Sequence, residues 1–184
     1  MKPENLQKTS IYSVFSLLLV LASGLASADQ TFPQPPELKP AVDFWVSIFT
    51  RYATDDAVFH DNRHLAVVYE RNEMPSSLSR RERHRRIEAR RKKIRAVLKS
   101  LSAGKRDNLT QEEARILALW TDGVSNNTLA AAAKRVRFQQ GLRDRFRRGL
   151  ERSGRWRDFV NEQFTLLGVP TEIAALPHVE SSYN

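Results

Sequence analysis

The chain has no cysteine. This absence excludes disulfides, thiolate nucleophiles and Cys-based metal sites. A lipoprotein signal, which needs a Cys at the cleavage point, is missing for the same reason. Acidic side chains are in deficit, with 21 Asp and Glu against 30 Lys and Arg. The formal net charge of +9 and the pI near 10.2 imply attraction to polyanions: nucleic acid, anionic lipid headgroups or acidic cell-wall polymers. There is no internal repeat, no Gly-rich phosphate loop and no Ser-His-Asp arrangement with supporting context. The 184 residues, 41% of them hydrophobic, allow one ordinary domain or a small domain plus part of another.

One long apolar run is present, and it lies at the N-terminus. Lys2 and Lys8 form a basic region before Ile11 to Leu25, an apolar stretch of about fifteen residues. Ala26-Ser27-Ala28 follows as a small-residue cleavage site, so residues 1–28 read as a signal peptide cut after Ala28. The competing reading is an uncleaved anchor, for which the run is short. With no Cys to acylate, the expectation is a soluble, exported protein of the periplasm or cell envelope. Export weakens the nucleic-acid reading of the positive charge.

Phe32 to Pro40 is Pro-rich and reads as an extended linker. Pro40 or Ala41 opens a helix in which Val42, Trp45, Ile48, Phe49 and Tyr52 make an apolar stripe, more naturally core than ligand platform. Asp55 to Asn62 is polar and turn-rich, and Leu65 to Tyr69 suggests a short extended segment. His60, Asp61 and His64 invite a zinc reading, but they fall in an expected loop without a third His. Asp61 is better read as a turn residue bonding its own backbone. No metal or cofactor is expected.

Ser76 to Ser79 caps the next helix, and Arg80 to Lys99 is extremely basic. Ile87, Ile94, Leu98 and Leu101 keep an apolar stripe through it, so it reads as a true amphipathic helix whose first turn frays against the dipole. Its cations are either a docking surface for anionic wall polymer or headgroups, or a solvated face with Arg stems covering apolar surface. Thr110 and Glu113 form a capping box before Ile116, Leu117 and Trp120. Asn127 or Thr128 caps a longer helix that Arg137 to Leu150 continues, with Gly141 and Gly149 as close-packing or kink positions. Ser153-Gly154 stops it, and a further helix runs from Trp156 to Leu167.

The last stretch, Gly168 to Asn184, reads as a helix closure at Gly168, a new start at Pro170 and a lone Glu-Ser pair, Glu180 and Ser181. Ile173, Leu176 and Val179 put an apolar face beside Glu180, and a carboxyl against an apolar wall has its pKa raised. Such a group acts as a general acid; the plainer reading is a solvated surface residue.

ALPHVESSYN resembles the catalytic-glutamate segment of lytic murein transglycosylases, specifically the membrane-bound lytic murein transglycosylase D type. VRFQQGLRDRFRRGLERSGRW, Val136 to Trp156, is similar to the segment before the catalytic domain there. HDNRHLAVVYE, His60 to Glu70, and VDFWVSIF, Val42 to Phe49, resemble pieces of that family's N-terminal region. The fold this implies is mainly α: an irregular helical N-terminal region, 29–135, leading into the first helices of a lysozyme-like transglycosylase domain, 136–184. The implied reaction cleaves the bond between N-acetylmuramic acid and N-acetylglucosamine in peptidoglycan strands. One carboxyl, here Glu180, protonates the glycosidic oxygen. It then takes the proton of the sugar's C6 hydroxyl as a 1,6-anhydro ring closes. No second carboxylate is needed, unlike the two-carboxylate scheme. Ser181 matches the serine after that Glu, which implies a positioning hydrogen bond to substrate. Most of the family's lysozyme-like domain comes after this motif. The expectation is therefore an N-terminal part of such an enzyme, by itself inactive or nearly so. The alternative is a non-catalytic, exported, basic helical domain that binds anionic wall polymer.

The signal-peptide reading has a direct test. The intact mass of the protein recovered after expression with export should correspond to a mature start at Asp29. A mass that retains Met1 would restore the nucleic-acid reading.

Overall fold

The structure is a computed structural model that describes residues 32–183. Residues 1–28 and the cleavage position Ala28 lie outside the described residues. The contacts divide the chain between Gln34 and Pro35, and the unit that begins at Pro35 holds all the described helices and strands. It is mainly helical with a small sheet, in agreement with the mainly α expectation.

Helix α1 spans Lys39–Thr50 and is entered through a 3-10 turn at Pro36–Leu38. Pro36 to Pro40 is therefore helical, not extended linker. Each Pro sits in the first turn of its element, where a missing N–H costs nothing. Strand β1 is Asp56–Asp61 and β2 is Val68–Glu73. Helix α2, Arg80–Ser102, is followed by α3, Gln111–Leu117, and α4, Asn126–Arg135. Strand β3, Val136–Gln140, leads to α5, Arg143–Ser153, α6, Arg157–Leu166, and the short α7, Leu176–Glu180. No described helix is long and apolar enough to cross a membrane.

The sheet has the order β2-β1-β3, antiparallel on both sides. Phe59 of β1 faces Glu70 on one side and Phe138 on the other, with a bulge between Phe59 and His60 on the β2 side. Every residue of β1 is buried. Alternate side chains leave opposite faces of a strand, so both faces of β1 must be covered. Ala57 and Phe59 join the larger core with Tyr69, Val136 and the apolar stripe of α2. Val58 joins the smaller core with Phe44 and Ile48 of α1, and His60 stacks on Phe44 at a ring distance of 4.6 Å. Burial holds the His60 pKa below its ordinary value. The sheet thus lies between α1 on one side and α2 with α3 and α4 on the other.

Three sequence expectations change here. The polar stretch Asp55 to Asn62 holds the central strand, Asp56–Asp61, because the two Asp of that strand are satisfied at its ends. Asp56 accepts from Ala53 N at 2.8 Å and pairs with Arg71 at 2.8 Å. Asp61 accepts from Arg63 N and His64 N at 2.8 and 2.9 Å, the turn bonding expected of it, and also pairs with Arg135 at 3.0 Å. The continuous helix expected through Arg137 is also wrong: α4 stops at Arg135. Val136 and Phe138 recur at a step of two, and they fill the free edge of β1 instead of a helix face. Ser125, not Asn127 or Thr128, caps α4 through Thr128 N at 3.1 Å.

The α2 stripe is as expected: Ile87, Ile94, Leu98 and Leu101 are all buried, each worth about 1.5–3 kcal/mol of transfer free energy. Its first turn is held by a capping box between Ser79 and Glu82, which opposes the expected fraying. Thr110 and Glu113 form the second expected box. Glu113 also takes Lys105 at 2.7 Å and Ser100 Oγ at 2.9 Å, and these bonds, with Lys105 foremost, hold its pKa down to about 2.

The α1 stripe is rotated from the one expected. Phe44 and Ile48 are buried, whereas Trp45 is 42% and Val46 53% exposed. This helix is apolar on more than one face, so periodicity alone does not fix which face turns inward.

Candidate functional site

The site is the C-terminal seam where α5 meets α7. Its position is set at the start of α5. After β3 the chain crosses the end of α1, and Gly141 makes the crossing possible. A Cβ there would lie 2.2 Å from the Ala53 carbonyl oxygen and 2.4 Å from that of Tyr52. The close approach lets Leu142 N donate to Ile48 O at 2.8 Å and Arg143 N to Tyr52 O at 2.9 Å. Ile48 O, among the last carbonyls of α1, thus receives its partner from the residue that opens α5. Asp144 then accepts from Thr54 N at 3.0 Å, a bond that lowers its pKa.

Helix α6 ends in a Schellman motif. Val169 N reaches Phe164 O at 2.9 Å, Gly168 N reaches Thr165 O at 3.2 Å, and Gly168 has φ +66. This is the closure expected at Gly168. The single helix start expected after it is instead a 3-10 turn, Thr171–Ala175, followed by α7.

Three contacts bind the last residues to α5. Gly149 is buried, and a Cβ on it would meet the Ser182 carbonyl oxygen at 2.9 Å. This is the close packing that a glycine inside a helix suggests. Arg152 donates from Nε to Tyr183 O at 3.0 Å and from Nη2 to Ser182 O at 2.5 Å. The His178 ring lies 5.9 Å from Phe146 and 4.7 Å from Tyr183. Ser182 and Tyr183 have φ of 52 and 55, the left-handed region that non-glycine residues seldom occupy. The Arg152 guanidinium binds the two carbonyls of these residues and holds the turn closed. Leu150, Ser153, Arg157 and Asn161 enclose a cavity of about 300 Å³ with His178 and Tyr183. His178 Nδ1 is buried there with no hydrogen-bond partner among the described residues.

Glu180 is exposed on the last residue of α7. Among the described residues its carboxylate makes no hydrogen bond or ion pair. Leu176 is 52% and Val179 58% exposed, so the apolar wall expected beside Glu180 is not closed around it. Ser181 is exposed and spends its hydroxyl locally, donating to Pro177 O at 3.2 Å and accepting from Tyr183 N at 3.2 Å. Val179 instead borders an open groove of about 780 Å³, lined by Val42, Trp45, Val46 and Phe49 of α1 and by Leu142 and Phe146. Phe49 and Phe146 meet there at a ring distance of 5.3 Å.

Two contributors escape sequence reasoning. Arg152 is one of many arginines, and nothing in its spacing marks a carbonyl clamp. Trp45 is a groove wall, although its place in the α1 stripe points to the core. The metal reading of His60, Asp61 and His64 does not survive: His60 lies on Phe44, Asp61 is taken by Arg135, and His64 lies 5.7 Å from Trp120. No group of three or more potential metal ligands occurs among the described residues. Comparison of the chain with family models, with curated proteins and with solved structures gives no match.

The seam yields a prediction. Arg152→Ala removes both bonds to the terminal carbonyls, and Gly149→Val forces α7 away from α5. Hydrogen exchange at amides 176–183 should accelerate at least about tenfold in either variant, with amides of β1 unchanged. Equal acceleration throughout the chain would show that the seam is not a separate unit.

Proposed function

We propose that Glu180 is the acid–base carboxyl of a peptidoglycan lytic transglycosylase, and that this chain supplies the acid and its mounting rather than a finished cleft. One observation supports the reading. Two of the four segments that resemble the family, the one from Val136 to Trp156 and the described part of the last one, Ala175 to Tyr183, pack on each other through Gly149, Arg152 and Phe146. Their packing leaves the Glu180 carboxylate uncommitted, one residue on from Val179, which borders an aromatic groove.

In this reading a glycan strand lies along the groove, with sugar faces against Trp45, Phe49 and Phe146. Glu180 gives its proton to the oxygen between N-acetylmuramic acid and N-acetylglucosamine, and the bond from that oxygen to C1 breaks. The carboxylate then takes the C6 hydroxyl proton as O6 bonds C1, closing the 1,6-anhydro ring. Proton transfer by a placed carboxyl is worth about 10²–10⁴-fold. That gain needs a carboxyl withdrawn from water, and Glu180 is exposed. The lysozyme-like domain belongs to the same proposal: a further wall over α7 would withdraw Glu180 from water and hold the sugar. Ser181 is the residue least suited to its implied role, since its hydroxyl already serves the backbone.

The test uses purified sacculi. The chain should bind glycan strands with a change in Trp45 fluorescence, identified by its loss in Trp45→Phe. It should release at most a trace of 1,6-anhydro product, and that trace should vanish in Glu180→Gln while binding persists. Anhydro product that survives Glu180→Gln, hydrolysed reducing ends, or no glycan binding would each contradict the proposal.

A further inference from the structure

The outward face of α2 carries more positive charge than the fold uses. The helix holds eleven Lys and Arg between Arg80 and Lys99 and two acids, Glu82 and Glu88. Both acids are engaged: Glu82 closes the capping box with Ser79, and Glu88 pairs with Arg91 at 2.7 Å. Some cations are structural. Arg90 binds Glu70 and Glu112 and so ties α2 to β2 and α3, and Arg83 donates to Pro75 O. Arg81, Arg85, Arg86, Lys92, Lys93 and Lys99 are different. They are exposed, and none is in an ion pair among the described residues.

Their spacing gives the face a shape. Arg85, Lys92 and Lys99 recur every seven residues and form one row, with Arg81 extending it. Arg86 and Lys93 form a second row. The exposed Ala89 and Ala96 lie between the rows. Arg85, Ala89, Lys92, Ala96 and Lys99 line an open groove of about 670 Å³ with Arg95 and with Glu88, whose carboxylate is already paired with Arg91. From Arg85 to Lys99 it runs about 21 Å, at 1.5 Å per residue.

We infer that this face is a docking groove for a linear phosphodiester polymer without bases, a polyol phosphate of the cell envelope. The inference is independent of Glu180. Charge complementarity selects a polyanion, and the guanidiniums match phosphate oxygens in paired geometry. A bilayer fits less well. Helices that lie in a membrane interface bury an apolar face in it, and the apolar face of α2 is already spent on the protein core. Single-stranded nucleic acid fits less well too, since it is held by aromatic stacking, and no aromatic side chain lines this groove.

The experiment measures binding of the chain to poly(glycerol phosphate), to vesicles of mixed phosphatidylcholine and phosphatidylglycerol, and to oligothymidylate, each at low and physiological salt. Saturable binding to the polymer that weakens as salt rises is expected. Arg85→Glu/Lys92→Glu/Lys99→Glu should weaken it at least about tenfold, as should the same three positions changed to Gln. Arg137→Glu/Arg145→Glu/Arg148→Glu, an equal change of net charge on other exposed residues, should leave it within about twofold. Melting curves establish that each variant is folded. Absence of saturable binding, equal losses in both charge-reversal variants, or tighter binding to vesicles or to oligothymidylate than to the polymer would overturn the inference.

Discussion

Asp61 is fully buried at the end of the central strand, and the fold closes around its charge. A buried carboxylate without partners is too costly to keep ionised, so its partners are obligatory. They come from two places. The turn after β1 gives the amides of Arg63 and His64, and the end of α4 gives Arg135, which directly precedes β3. One side chain therefore fixes where β1 ends, where α4 stops and where the third strand begins. Asn62 N adds a bond to Arg135 O at 3.2 Å that pins the same junction. A buried ion pair is weak evidence of net stability, but it is a strong constraint on register, since any slip strands two charges.

From that junction the chain has little choice. β3 runs out at Gly141, which must pass close beneath the Ala53 and Tyr52 carbonyls. The amides beyond it finish α1, so α5 starts at a fixed place against α1. Gly149 and Arg152 lie further along α5 and hold the terminal turn. The position of Glu180 is thus inherited from the sheet through a series of backbone contacts. The same sheet buries the apolar face of α2 and leaves Arg85, Lys92 and Lys99 outward, so the Glu180 seam and the cationic face of α2 are set by one core.

The capping box at Thr110, the α2 stripe, the Gly168 closure and the close packing at Gly149 are all legible in the sequence. Each is encoded within a few residues or by a single glycine. The sheet is not legible. β1 mixes Ala57, Val58 and Phe59 with Asp56, His60 and Asp61, and its two acids make sense only through Arg71 and Arg135, distant in the chain. Val136 and Phe138 look like a helix face when read with Leu142 and Phe146. Only the free edge of β1 shows that the strand period gives way to a helical one after Gly141. In α1, Trp45 reads as core because the helix has more apolar residues than one face can hold. The clamp of the terminal turn, Arg152, is hidden among the surrounding arginines.

The most direct measurement of the central role of Asp61 is a double-mutant cycle with Arg135, read by urea unfolding. Asp61→Asn should cost about 3–5 kcal/mol, because Arg135 is left without its counter-charge. Asp61→Asn/Arg135→Met should recover part of that loss, giving a coupling of at least about 1 kcal/mol. Costs below about 1 kcal/mol that simply add would contradict the central role of this pair, and the path from the sheet to Glu180 would need another anchor.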